Sequence, residues 1–152
     1  MGVGSIKHTG SPVPEIIYIG KGSGTIAAGD VVAFDSSGLV IPATASTLAP
    51  HGVLTDLLHV VGSTTYYGVL MGGYIVCKAG AAIKPNKLVM SDANQDVIAS
   101  VQTVSSTYVQ AESLAFWYVM GRYVRLESDN TYAPSDAANT NAVIVSVGGI
   151  GG

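Results

Sequence analysis

The stretch Ile26-Ala-Ala-Gly-Asp-Val-Val-Ala-Phe-Asp35-Ser-Ser-Gly-Leu-Val-Ile41 occurs a second time, in outline, further along the chain. It aligns without gaps with Ile83-Lys-Pro-Asn-Lys-Leu-Val-Met-Ser-Asp92-Ala-Asn-Gln-Asp-Val-Ile98. In each copy a tight turn precedes a short apolar strand, and an aspartate then opens a second turn. An aspartate in that place accepts hydrogen bonds from backbone N–H groups later in the turn. The pattern predicts two similar β-hairpins in one domain.

A shorter pair of segments shows the same kind of likeness. Leu70-Met-Gly-Gly-Tyr74-Ile75 is similar to Val119-Met-Gly-Arg-Tyr123-Val124. Each is typical of a strand that is broken at a glycine, as at a bulge or a sharp corner of a barrel. Because few residue types form tight turns, unrelated hairpins also share such features, and this alternative stays open. Two copies indicate a compact barrel whose halves are built alike, and no longer array of repeats.

The chain as a whole predicts an all-β fold. Glycine makes up 19 of the 152 residues, well above the usual share of about 7%. The best helix candidate, Ser113–Met120, is rich in aromatic residues that favour strands. Short strand-like runs with turn residues between them are Glu15–Ile19, Asp30–Phe34, Leu39–Ile41, Gly52–Leu54, Tyr66–Leu70, Tyr74–Lys78, Lys87–Met90, Val97–Ala99, Ala115–Met120, Tyr123–Leu126 and Ala142–Val147. This arrangement is typical of a compact barrel-like or sandwich domain.

The chain carries few charges. Lys and Arg total 7 and Asp and Glu total 10, which is 11% of the sequence, against about 25% in a typical domain. Hydrophobic residues make up 48%, which excludes intrinsic disorder. The basic residues form no cluster, so nucleic acid is not an expected partner. No apolar run approaches the roughly 20 residues of a membrane-spanning helix, and we expect no membrane partner.

The two ends of the chain differ from its middle. We divide it into an extended N-terminal arm, residues 1–20, and a single β domain, residues 21–152. Met1–Pro14 is rich in Gly, Ser and Pro, which favours an extended path. We expect it to order only against a neighbouring chain, unless it is a frayed terminus, and its deletion to leave the melting temperature nearly unchanged. Ala142–Val147 is a strong candidate for an edge strand, which would close a sheet if it paired within the sheet or with a partner subunit.

Catalytic and metal-binding patterns are incomplete in this sequence. Gly20-Lys-Gly-Ser-Gly-Thr25 lacks the first glycine of a phosphate-binding loop, and Asp92-Ala-Asn-Gln-Asp96 is not followed by the glycine and glutamate of an EF-hand. The three histidines have no metal-ligand spacing. Cys77 lies in an apolar run, where a thiol is usually inert. We therefore expect no enzymatic activity, no cofactor and no metal.

Aromatic pairs are candidates for contacts with other molecules. Neighbouring residues of a strand point to opposite faces, so Tyr66 and Tyr67 cannot both lie in one barrel core. One residue of such a pair is expected at the surface, as part of a subunit interface or, alternatively, as a stacking platform for sugars. The candidate contact residues are Ile6, His8, Val13, Pro14, Tyr67 and Trp117.

The order of several short phrases resembles the small capsid decoration, or head-stabilising, proteins of tailed bacteriophages. The phrases that carry the resemblance are Gly24-Thr-Ile-Ala-Ala-Gly-Asp-Val-Val, Gly52-Val, Gly68-Val-Leu-Met-Gly, Lys78-Ala-Gly-Ala-Ala-Ile83 and Met120-Gly-Arg122. They are apolar and glycine patterns that span residues 24–126. The second copy departs from the family pattern, because Asn86-Lys87 stands where Gly-Asp is common.

The resemblance implies a structural virion protein on the outer surface of a phage capsid. Such a protein binds as a homo-oligomer, with a trimer favoured, and reinforces contacts between subunits of the major capsid protein. The aromatic pairs leave one alternative function open, a carbohydrate- or host-surface-binding β module on a virion.

Overall fold

The computed structural model describes residues 2–7, 14–44, 52–100, 120–129 and 133–148. These residues form strands and turns and no helix, which confirms the expectation of an all-β fold. In this part of the chain no helix is long and apolar enough to cross a membrane. The predicted strand Ala115–Met120 lies outside the described residues except for Met120.

The described residues form ten strands in one curled antiparallel sheet. In chain order the strands are β1 (Ile6–Lys7), β2 (Glu15–Ile19), β3 (Val31–Phe34), β4 (Val40–Pro42), β5 (Gly52–Val61), β6 (Thr64–Lys78), β7 (Leu88–Ser91), β8 (Val97–Ala99), β9 (Gly121–Leu126) and β10 (Ala142–Val147). Their spatial order is β4-β3-β5-β6-β10-β9-β7-β8, and β1 and β2 also pair with β6. The sheet is a half-barrel, compatible with the expected barrel-like domain.

Strand β6 joins the two halves of the sheet. Residues 64–72 lie between β2 and β5, which pair with the same part of β6 from opposite edges. Residues 73–78 lie between β1 and β10 in the same way. Gly73 stands at the junction with a φ of +123°, a conformation that side chains other than glycine rarely adopt. The break that the sequence predicts here is therefore a corner within one continuous strand.

The two aspartate turns have the same geometry. Oδ1 of Asp35 and Oδ1 of Asp92 each accept the backbone N–H groups of the residues two and four positions further on, at 2.7–3.0 Å. The residue three positions on has a positive φ in both turns, +78° at Gly38 and +64° at Gln95. The likeness between the two sequence stretches is thus a likeness of backbone conformation.

The turns that open the two hairpins match as well. Gly29 and Asn86 stand at equivalent positions with φ of +91° and +67°. The N–H of Gly29 donates to the carbonyl of Leu54 on β5 at 2.7 Å, and the N–H of Asn86 donates to the carbonyl of Tyr123 on β9 at 2.9 Å. Asn86 therefore keeps the geometry of the turn where the sequence departs from Gly-Asp. The equivalence also extends beyond the hairpins, to β5 and β9.

The sheet consists of two equivalent units. Unit 1 comprises β2 to β5 and residues 64–72 of β6, and unit 2 comprises residues 73–78 of β6 and β7 to β10. Within unit 1, Val69 of β6 pairs with both β2 and β5. Within unit 2, Val145 of β10 pairs with both β6 and β9. Strand β6 is therefore the last strand of unit 1 and the first strand of unit 2.

Each unit has an apolar front face at equivalent positions. In unit 1 these are Ile17, Ile19, Ile26, Val32, Phe34, Val40, Leu54, Tyr67, Val69 and Met71, which form a small separate cluster. In unit 2 they are Ile75, Cys77, Ile83, Val89, Ser91, Val97, Tyr123, Val143, Val145 and Val147, of which all but Ser91 belong to the main core. The main core also contains the opposite, back face of unit 1, which is Ile16, Val31, Ala33, Ile41, Ala43, Val53 and Leu70. The back face of unit 1 thus packs on the front face of unit 2. We call this back-to-front contact head to tail.

Hydrogen bonds at Gln95 fasten the two units together. The N–H of Val31 donates to the carbonyl of Gln95 at 3.0 Å. The side-chain amide of Gln95 donates to the carbonyl of Ala43 at 2.8 Å. The turn of the second hairpin therefore bonds directly to the back of the first.

The segment divided off as an arm, residues 1–20, contributes strands β1 and β2 to the sheet. The N–H of Gly4 donates to the carbonyl of Val76 at 2.7 Å, Ile6 packs against the main core, and Lys7 forms an ion pair with Glu127 at 3.0 Å. The expectation that this segment orders only against a neighbouring chain is wrong for residues 2–7, because β6 of the same chain binds them. Deletion of these residues is therefore expected to lower the melting temperature.

Strand β10 has the predicted bounds but not the predicted position. It pairs with β6 along one edge and with β9 along the other. Val143 and Val145 are fully buried in the main core. The prediction of an edge strand is therefore wrong, since both edges of Ala142–Val147 are already used within the sheet.

Alanine at either turn aspartate tests the equivalence of the two hairpins. Asp35→Ala and Asp92→Ala each remove the acceptor of two backbone N–H groups. We expect each to lower the free energy of unfolding by about 1–2 kcal/mol in urea titrations. Asparagine keeps an acceptor oxygen and is the matched control, with a smaller loss. A large loss at one position and none at the other would contradict the equivalence.

Candidate interaction surface

The front face of unit 1 is less well covered than that of unit 2. Four of its side chains, Val32, Val40, Leu54 and Val69, are buried. The side chains that surround these four are only partly buried, and they are Ile17, Ile19, Ile26, Phe34, Tyr67 and Met71. In unit 2 the same face is covered by the back of unit 1. The front face of unit 1 has no such partner in the described part of the chain.

The β5–β6 hairpin extends this apolar surface. Large side chains are exposed along it, at 39% for Leu57, 58% for Leu58, 61% for Val60 and 56% for Val61. His59 lies against Tyr18 of β2, with the ring centroids 5.8 Å apart. Neighbouring exposed apolar residues of this kind mark interaction sites in folded proteins.

A groove lies where the hairpin meets the first turn of unit 1. It has a volume of about 280 Å³ and is lined by Ile26, Ala27, Ala28, Leu54, Thr55, Asp56, Leu58 and Tyr67. The hydroxyl of Thr55 donates to the carbonyl of Gly68 at 2.7 Å and is therefore satisfied. Asp56 is the charged member of the lining and is exposed. The groove is thus largely apolar, with a carboxylate at its rim.

The equivalent groove of unit 2 is filled by the segment that precedes β10. Ile83, which corresponds to Ile26, exchanges two backbone hydrogen bonds with Ala137, at 2.8 and 3.1 Å. The hydroxyl of Tyr123, which corresponds to Leu54, donates to the carbonyl of Ser135 at 2.6 Å. A short extended segment with a small side chain therefore covers this groove.

Unit 1 lacks such a covering segment within the described residues. None of these residues exchanges a hydrogen bond with the backbone of Ile26. In unit 2 the rim residue Lys84 pairs with Asp136 of the covering segment at 3.6 Å. The position of Lys84 is Ala27 in unit 1, and the charge at the rim is Asp56 instead. The groove of unit 1 is therefore suited to a segment that brings positive charge.

The contact residues that the sequence predicts do not all lie at the apolar surface. Tyr67 is half-buried and lines the groove. Ile6 packs against the main core, and Pro14 lies beside Gly73; neither lines the groove. His8, Val13 and Trp117 lie outside the described residues. The structure thus brings Tyr67, among the described candidates, to the apolar surface.

The exposed hairpin is longer than the sequence pattern predicts. The pattern predicts a strand at Gly52–Leu54, whereas β5 continues to Val61. The available signal is the run Leu57-Leu58-His59-Val60-Val61, in which apolar residues do not alternate with polar ones. A strand with that composition has apolar side chains on both faces. Val60 and Val61 are neighbours on β5 and both are more than half exposed, so both faces of the hairpin lie at the surface.

Burial raises the pKa values of three titratable groups. Burial raises the pKa of Asp30 even though its carboxylate accepts the N–H of Ala27 at 2.8 Å. Burial also raises the pKa of the Cys77 thiol, so this group stays protonated at neutral pH. The pKa of Tyr123 is raised to about 12, again mainly by burial. Within the described residues, no three His, Cys, Asp or Glu side chains are placed to hold a metal ion together.

Comparison of the chain with models of protein families, with curated proteins and with solved structures finds no match.

Proposed function

We propose that the chain is a structural virion protein that binds the outer surface of a phage capsid. It binds as a homo-oligomer, with a trimer as the expected form, and reinforces contacts between subunits of the major capsid protein. It acts by burying surface and carries out no catalytic step.

The observation that supports this proposal most is the apolar surface of unit 1. The β5–β6 hairpin exposes more than half of Leu58, Val60 and Val61, next to a largely apolar groove. An isolated domain with few charges and such a surface risks association. A protein that is held between sister subunits and a capsid shell has a use for the same surface.

The resemblance to decoration proteins adds a second line of support. The phrase Ala27-Ala-Gly-Asp-Val-Val32 forms the turn before β3 and the start of that strand in unit 1, and its partial copy forms the turn before β7 and the start of that strand in unit 2. A symmetric oligomer of such a protein touches several capsid subunits at once. Modest contacts then add up through avidity.

Cosedimentation with phage heads tests the proposal. Purified protein is mixed with expanded, undecorated heads of the virus that encodes it, and the pelleted fraction is measured. We expect the protein to pellet with heads at micromolar concentration and to stay in solution without them. Failure to pellet at that concentration would overturn the proposal.

A glycan array separates this function from the alternative of a carbohydrate-binding module. We expect no glycan to retain the wild-type protein. Specific retention of the wild type that is lost in the variant Trp117→Ala would favour the alternative instead, because removal of the aromatic ring abolishes stacking on a sugar.

A further inference from the structure

Two faces take no part in the head-to-tail contact between the described residues of the two units. The back of unit 1 lies on the front of unit 2, as the shared core cluster shows. Among the described residues the two faces left out are the front of unit 1 and the back of unit 2. They are the same two kinds of face that meet inside the chain.

The back of unit 2 is more polar than the back of unit 1. Its positions are occupied by Tyr74, Leu88, Met90, Ile98, Arg122 and Ser146, at the places of Ile16, Val31, Ala33, Ile41, Val53 and Leu70 in unit 1. Arg122 is exposed and pairs with Leu88 of β7. This face therefore combines the charge of Arg122 with apolar side chains that are half-buried or, at Val76 and Ile144, buried.

We propose that the front face of unit 1 is a subunit interface and that the back face of unit 2 of a second copy of this chain occupies it. The contact repeats between chains the head-to-tail order that already exists within one chain. This proposal deepens the proposed function, because it specifies the oligomer on which that function rests.

The charges of the two faces support a second copy as the occupant. The groove on the front of unit 1 carries Asp56 at its rim, and the side-chain contact described for that carboxylate is a long one, 3.5 Å from the hydroxyl of Ser5. The back of unit 2 carries Arg122, whose charge complements that carboxylate. Complementary charge fixes the orientation of a contact more than its strength.

The two units also differ in how the groove is closed. In unit 2 an extended segment pairs with Ile83 and fills the groove, whereas Ile26 has no such partner among the described residues. The groove of unit 1 is therefore not covered by any of the described residues. A head-to-tail contact between copies closes into a ring when the rotation per subunit permits it, so every copy buries both faces.

Variants at the exposed hairpin test the interface by solution mass. Leu58→Asp places a charge in the groove, and Val60→Asp places one further along the hairpin. We expect light scattering after gel filtration to show an oligomer for the wild type and a monomer for each variant. Both positions are exposed, so circular dichroism should show an unchanged fold.

Leu39→Asp is the matched control. Leu39 is 37% exposed but lies in the turn opened by Asp35, away from the groove. The equivalent residue of unit 2 is Asp96, so an aspartate fits this turn. We expect Leu39→Asp to remain an oligomer. A monomeric wild type, an oligomeric Leu58→Asp or a monomeric Leu39→Asp would each overturn the proposal.

Mixing two variants tests the head-to-tail order itself. Leu58→Asp keeps an intact back of unit 2, and Arg122→Glu keeps an intact front of unit 1. We expect each variant alone to be a monomer and their mixture to form a heterodimer through the one intact interface. Failure of Arg122→Glu to dissociate, or failure of the mixture to associate, would overturn the proposal.

The outcome is independent of the test of function. Suppose that the wild type pellets with heads, and that Leu58→Asp stays oligomeric but no longer pellets. The capsid, and not a second copy, would then occupy this face. Wild-type protein that forms the expected ring but never pellets with heads would overturn the proposed function and keep the interface.

Discussion

Replacing Gly121 by alanine is expected to lower the free energy of unfolding by about 3 kcal/mol or more. Gly121 is the first residue of β9 and pairs with Val147 of β10. A Cβ atom at this position would overlap the backbone oxygen of Ser146. Backbone of a central strand cannot move aside without breaking its other pairings, so β10 would have to separate from β9. Such a loss is a large fraction of the stability of about 5–15 kcal/mol that a domain usually has.

Gly72→Ala is the matched control for this variant. Gly72 also lies in a strand, without a positive φ, and the nearest atoms to a Cβ there are 3.7 Å away, which is ordinary contact. We expect its stability to be unchanged or raised by up to about 1 kcal/mol. Urea titration of both variants and of the wild type measures the difference. Equal stability of Gly121→Ala and Gly72→Ala would contradict the close approach of β9 and β10.

The second large effect is expected at Leu70. This side chain is fully buried on the back face of unit 1, in the cluster that it shares with the front of unit 2. Leu70→Ala should lower the free energy of unfolding by about 2–5 kcal/mol, through lost burial and the cavity that remains. The measurement is again urea titration, with the midpoint and the slope both recorded.

Ser146 is the equivalent residue of unit 2 and supplies the control. It lies on the back face of that unit and is only partly buried. Ser146→Ala should therefore change stability by no more than about 0.5 kcal/mol. The contrast between the two positions follows from the head-to-tail order of the units. Similar costs at both positions would mean that the two back faces are covered alike within one chain.

The parts of this fold that depend on local chemistry are readable from the sequence. Asp35 and Asp92 accept hydrogen bonds within a few residues of themselves, so a short spacing of residue types specifies each turn. Strands Glu15–Ile19 and Val97–Ala99 have the predicted bounds because turn residues lie on both sides of them. The all-β class and the two similar hairpins were therefore predictable.

Pairing between distant strands is not readable in this way. Strand β6 was predicted as two strands, because Gly72 and Gly73 interrupt its apolar pattern. The structure uses these glycines for a corner, and the pairing of β2 and β10 on either side of it comes from residues far away in the sequence. The edge position expected for β10 was wrong for the same reason, and so was the expectation that residues 2–7 order only against a neighbouring chain.

The candidate surface was predictable only in part. Tyr67 is predicted as a contact residue because two adjacent tyrosines of one strand cannot share one core, and strand geometry alone is enough for that prediction. The groove beside it depends on the absence, among the described residues of unit 1, of a segment like the one that covers Ile83. That difference between the units becomes visible only when their backbones are compared.

The most direct test of the central proposal is the number of copies that bind to one head. Labelled protein is titrated onto undecorated heads, and the bound copies are counted against the copies of major capsid protein. The proposed function predicts a plateau at a fixed ratio to the major capsid protein, with bound protein leaving only slowly on dilution. Binding that rises without a plateau, or no binding at all, would contradict it.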